Sequence, residues 1–202
     1  LSRQTVCGVI GQDGALLEAI RQSLRRDLLA GGYIQADETP IGVQSPEVQG
    51  RNHTGRVWHY GRPGGPVVVD FQMSRGRDGP RAFLEGFRGT VQSDGYSAYD
   101  KLGAGITYAG CLAHVRRKLF DAHKLSPDDP VPRQLLDEVG ALYAVEAEAR
   151  EAKATAEERL ALRQARSQPL MAELKERLIA TRQASLPKSV LGRACAYALG
   201  QW

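Results

Sequence analysis

The chain has 202 residues, 42% hydrophobic and 25% charged, with 27 Lys and Arg against 23 Asp and Glu. That length buries a core without disulfide staples, and no apolar run approaches the roughly 20 residues of a membrane span, so a transmembrane or a disordered protein is excluded. The net charge of +4 permits a nucleic-acid partner, and 21 of the 27 basic residues are Arg, whose planar fork grips a phosphate through two hydrogen bonds.

In chain order, residues 2 to 30 read as one or two helices, with Ser2 as N-cap, Leu16, Ile20, Leu24 and Leu28 on one face, and Gly31-Gly32 as the stop. Residues 33 to 36 form a short strand leading into Asp37, and residues 42 to 55, GVQSPEVQGRNHTG, are turn-rich. Strands over 56 to 60 and 66 to 71, joined by GRPGG, predict an antiparallel hairpin. A helix over 81 to 87 closes at Gly89, a strand over 90 to 93 ends at Asp94, a short helix spans 96 to 102, and a fifth strand spans 106 to 111. Residues 112 to 124 make a basic helix, which completes an α/β sheet with both hairpin and crossover connections.

Beyond a linker at 127 to 132 the pattern is helical. One helix covers about 133 to 154; the next is opened by a Thr155/Glu158 capping box and bends at Pro169; the last starts near Pro187 and carries Leu191, Ala194, Cys195, Ala198 and Trp202. The expected organisation is a helical segment at 1 to 32, a catalytic core at 33 to 126 and a helical insertion at 127 to 202, which packs on the core or on another copy of the chain as a homo-oligomer. Cys7, Cys111 and Cys195 are odd in number and far apart, which favours a reducing, cytoplasmic setting over a disulfide framework. The chain lacks a secretory signal and an initiator Met, and its last helix has no stop signal, so a piece of a longer protein is expected.

The strongest chemical constellation is a pair of Asp residues at strand ends, Asp37 in QADETP and Asp94 in VQSDGYSAYD. If the first strand is central and pairs with the fourth, the two carboxylates converge and can share a divalent cation, because Mg²⁺ prefers carboxylate oxygens with water and substrate phosphate. The plain alternative is that Asp37 caps a turn and Asp94-Gly95 is an ordinary turn dipeptide. On the basic helix, His114, Arg116, Arg117 and Lys118 suit DNA phosphates beside the Asp pair, against the alternative of a solvated helix face. Residues 51 to 88 hold seven arginines against three acids, and within them Arg75 and Arg77 sit in a basic turn suited to tracking a phosphate. Cys111, His114 and His123 have zinc-like spacing but fall short of the four ligands of a structural site. No phosphate-binding loop, GxSxG or HExxH occurs.

The blocks ADETP, GRVWHY, RAFLEGFRGTVQSDGYSAYD and CLAHVRRKLFDAHK, continued by ERLALRQARSQPLMAEL and YALGQW, resemble the DDE transposases of the bacterial insertion-sequence family sixty-six over nearly the whole chain. The resemblance implies a ribonuclease-H-like α/β core in which the first two metal ligands fall on Asp37 and Asp94. It implies Mg²⁺ or Mn²⁺ as cofactor and double-stranded DNA, transposon ends and target, as partner. The family's third acidic ligand belongs to a DNNxAER block downstream of YALxQW, so the triad is incomplete at Trp202, and Glu38, Glu138 and Glu146 have no motif to promote them. The expected activity is metal-dependent cleavage and strand transfer at transposon ends. The alternatives are a non-catalytic DNA-binding or assembly remnant, and a metal nuclease of the same fold.

Overall fold

Ser2 opens the first helix, α1 (Arg3–Ala30), by accepting the Thr5 N–H at 3.0 Å. This is seen in a computed structural model, which describes residues 2–44 and 52–202. Gly31 ends α1 by returning its N–H to the Leu28 carbonyl. The apolar stripe is buried only at its end: Leu28 is in the core, whereas Leu16, Leu17, Ile20 and Leu24 are exposed, Leu16 at 77%. Helical periodicity reports which residues share a face, and the sheet underlies only the last turns of this helix.

Five strands follow: β1 (Tyr33–Gln44), β2 (Asn52–Gly61), β3 (Val67–Gln72), β4 (Gly89–Ser93) and β5 (Ile106–Gly110). They form one sheet in the order β3-β2-β1-β4-β5. β1, β2 and β3 are antiparallel neighbours, while β1–β4 and β4–β5 are parallel. The first strand is therefore central and paired with the fourth, the arrangement on which the reading of the Asp pair depends, and the chain has a mixed α/β sheet followed by a helical C-terminal part.

Side chains alternate between the faces. Ile34, Ala36, Trp58, Tyr60, Val68 and Val91 are buried on one face, with Phe83, Leu84, Phe87 and Tyr99 packed among them. Tyr60 stacks on Phe83 at 3.7 Å between centroids, and Trp58 meets Tyr99 edge-on at 5.6 Å. On the other face Val67, Val69 and Phe71 are about half exposed or more.

Several boundaries differ from expectation. β1 and β2 are longer, so Asp37 lies inside a strand rather than at its end; Pro46 and Gly50 of the expected turn, and the side chain of Cys7, lie outside the described residues. The helix expected at 81 to 87 is α2 (Asp78–Phe83), with Pro80 in its first turn and Gly86 left-handed at φ 78°. The helix expected at 96 to 102 is a 3₁₀ turn, Ser97–Tyr99, cut short where Lys101 turns left-handed.

The chain forms two compact units, Leu1–Gly110 and Cys111–Trp202. The division falls after β5, so the basic helix α3 (Leu112–Leu125) is counted with the helical unit and not with the sheet. There it packs with α4 (Pro130–Glu151), α6 (Gln168–Ala184) and α7 (Val190–Gly200) around Leu119, Leu135, Val139, Leu174, Leu178 and Cys195. Asp129 caps α4, and the Thr155/Glu158 capping box opens α5 (Ala156–Leu162). The irregularity expected at Pro169 is a π-helical turn just before it, Arg163–Ser167, where the Gln168 N–H bonds Arg163 O five residues back. Pro169 has no N–H to offer Ala165, so the preceding turn widens. Among the described residues no helix is long and apolar enough to cross a membrane.

Candidate functional site

β1 and β4 pair from Tyr33 against Thr90 to Gln35 against Gln92. Two residues further along each chain stand Asp37 and Asp94. Strand alternation puts Asp37 on the face of Gln35, and Asp94 directly follows Ser93, the last residue of β4; neighbouring strands run about 4.8 Å apart. Side chains from the two strands meet on that face: Tyr33 Oη and Gln35 Nε2 both donate to Gln92 Oε1, at 2.6 and 3.0 Å. On its other side Asp37 stands opposite His59 of β2.

Each carboxylate is fixed by the backbone. Asp37 Oδ1 accepts the Glu38 N–H at 2.8 Å, and Asp94 Oδ1 accepts the Tyr96 N–H at 2.9 Å across a turn in which Gly95 is left-handed at φ 76°. Asp94 is thus also the turn residue that its dipeptide context suggests. Burial pushes the Tyr99 phenol up, and Tyr60 and the carboxylates of Asp37, Asp94 and Glu38 push it the same way. Its buried hydroxyl has no hydrogen-bond partner among the described residues. The Tyr99 phenol therefore stays protonated and feels the negative charge of all three carboxylates.

Glu38 faces away from Asp37, and its side chain is only 6% exposed. It is ion-paired with Arg75 and lies 3.3 Å from Arg56 Nη1. The Arg75 guanidinium lies 3.8 Å over the Tyr96 ring, and Arg77 Nη2 donates to Ser97 O at 3.0 Å. The turn read as a loose phosphate tracker is thereby tied to the 3₁₀ turn beyond Asp94.

On α3, Val115, Leu119 and Ala122 are buried and Arg116, Arg117 and Lys118 are exposed, while His114 is half-buried. The four residues do not act as one surface. Lys118 lies 4.6 Å over the Tyr197 ring, whereas Arg116 and Arg117 share an exposed face with Phe120 and Lys124 at helical spacing.

Among the described residues no three His, Cys, Asp or Glu side chains converge to hold a metal ion. Two carboxylates with neighbouring amides are a hard-oxygen donor set that suits Mg²⁺ or Mn²⁺ in type, one carboxylate short of a triad. The other acids are engaged elsewhere: Glu38 with Arg56 and Arg75, Glu138 with Arg177, and Glu146 with Arg159 and Arg163. Sequence reasoning missed His59, Tyr96, Tyr99 and the Glu38 ion pairs. The alternation of β2 could have signalled His59, but the others depend on long-range packing.

The comparisons with known proteins agree with one another. The family model described as Transposase IS66 family matches residues 1–202. Three proteins of Sinorhizobium fredii (strain NBRC 101917 / NGR234), each described only as uncharacterized, are similar: y4hP is 28% identical over all of this chain and 40% of its own length. For y4jD the identity is 34%, over 68% of this chain and 28% of the relative, and for y4qI it is 30%, over 87% and 35%. The chain thus spans 28% to 40% of the length of these relatives. No solved structure matches it. With the family model matched from the first residue to the last, the chain belongs to the IS66 family of transposases.

Proposed function

We propose that this chain carries two of the metal ligands and part of the DNA-binding surface of a DNA transposase. The observation that supports it most is the parallel pairing of β1 with β4, which ends at Gln35 and Gln92, two residues before Asp37 and Asp94. These two residues would hold Mg²⁺ or Mn²⁺. When bound, the metal activates water and stabilises the leaving 3′ oxygen of an in-line phosphodiester displacement. The backbone N–H groups of Glu38 and Tyr96 each hold Oδ1 of one carboxylate, which limits the rotation of both side chains. Arg75 and Arg77, with His114, Arg116, Arg117 and Lys118 of α3, orient the backbone of transposon-end and target DNA without reading bases. In the reaction water breaks the P–O3′ bond at the element's end, leaving a 5′ phosphate and a free 3′ hydroxyl; that hydroxyl then attacks a target phosphodiester, forming a new P–O3′ bond as the target's own P–O3′ bond breaks and its 3′ oxygen leaves as a hydroxyl.

A cleavage assay on transposon-end DNA tests this with the longer parent protein, which supplies the third acid in this reading. Asp37→Asn and Asp94→Asn should each reduce cutting to background while DNA affinity stays within a few-fold. Cutting that survives in either variant would overturn the assignment.

A further inference from the structure

A recess of about 450 Å³ opens beside the Asp94 turn, lined by Arg75, Arg77, Asp78, Arg81, Tyr96 and Ser97. Three guanidinium groups face one carboxylate there, so the recess is positive. Its arginines are only partly used. Arg75 gives its Nε–H to Glu38, which leaves its terminal nitrogens available, and Arg77 gives Nη2 to Ser97 O while its Nε is buried without a partner. Arg81 is exposed on α2.

Tyr96 is braced at both ends. Its N–H bonds Asp94 Oδ1, and its hydroxyl donates to Arg75 O at 3.1 Å, so its ring is held beneath the Arg75 guanidinium. A planar guanidinium fork matches two phosphate oxygens, and stacking on a ring fixes the plane of that fork before a ligand arrives. The same turn that presents Asp94 therefore positions the recess.

Resting on the reading of the chain as DNA-processing, we propose that this recess binds one phosphodiester of the DNA strand, adjoining the group to be cut. Arg75, Arg77 and Arg81 are its ligands, and Glu38 and Tyr96 are positioning residues that hold Arg75 in place. A free phosphate offers the same oxygens, and the recess is assigned here to the DNA strand.

The test uses the 202-residue chain and a labelled 20-base-pair duplex. Fluorescence anisotropy is read across a salt series, and phenylglyoxal modification of each arginine is mapped with duplex, with inorganic phosphate, or with neither. Arg81→Gln should weaken duplex binding about tenfold and lower the salt slope by about one counterion, with an unchanged melting temperature. Tyr96→Phe, which keeps the ring but loses the bond to Arg75 O, should weaken binding less than Tyr96→Leu, which should bind like Arg81→Gln. Duplex should protect Arg81 from phenylglyoxal. Duplex binding with an unchanged slope and an unprotected Arg81 would overturn the recess while leaving the DNA reading intact. Protection by phosphate and not by duplex would overturn the assignment to the strand. A parent chain with no affinity for duplex at any salt would overturn both.

Discussion

The proposed convergence of the Asp37 and Asp94 carboxylates rests on the parallel pairing of β1 with β4, which ends two residues before each of them. Both Asp residues were legible because each sits in a distinctive block. The Glu38 ion pairs were not, because Arg56 and Arg75 reach it across 18 and 37 residues, and local pattern carries no such information. Glu38→Gln would leave two arginines beside a neutral group; with both arginines partly solvated, it should cost about 1–3 kcal/mol in urea unfolding. Cys195 gives a separate check on the helical core. Burial pushes its thiol from 9.0 up to about 11. The unfolded thiol ionises first as pH rises, so stability should fall between pH 9 and about 11, whereas below 9 both states stay protonated and the group contributes no slope. In the folded protein at pH 8, iodoacetamide should therefore label half-buried Cys111 well before Cys195, as read by peptide mass mapping.

At the scale of elements, the sequence was most misleading where tertiary pairing overrides local chemistry. Gly42 and Gly55 read as turn residues, yet β1 runs through Gly42 and β2 through Gly55 because the two strands pair as far as Gln44 and Asn52, and β1 also carries Pro40. Beyond Gln35 no β4 partner remains, so this stretch of β1 has an open edge, where a proline is tolerated. β4 starts at a backbone that only glycine fits: Gly89 has φ 146°, and a Cβ there would stand 2.4 Å from Gly32 O. Gly89→Ala should destabilise the sheet by about 1–3 kcal/mol or more, and circular dichroism melts would record it. The Thr155/Glu158 capping box, by contrast, was fully legible, since its bonds lie within four residues. Thr155→Ala should cost about 1 kcal/mol by the same measurement.

On the scale of the whole molecule, the basic excess is concentrated. Residues 1 to 110 hold 12 Lys and Arg against 11 Asp and Glu, and 111 to 202 hold 15 against 12, of which residues 111 to 124 alone supply four basic residues and one acid. Three of the four excess charges therefore sit on α3. Arg116→Ala with Arg117→Ala should weaken binding to every duplex alike and lower the salt slope by about two, in contrast to the single unit expected of Arg81→Gln. The fold class was legible because strand and helix periods alternate in the order that an α/β sheet requires. The division after Gly110 was not, because the prolines that mark a linker cluster elsewhere, at 127 to 132. The central claim is that Asp37 and Asp94 form one site, and paramagnetic broadening of backbone amide signals by Mn²⁺ tests it most directly. Mn²⁺ should broaden the amides of both residues together, and Asp37→Asn should remove the broadening at Asp94, just as Asp94→Asn removes it at Asp37. Broadening at each Asp that persists unchanged when the other is replaced would contradict a shared metal site.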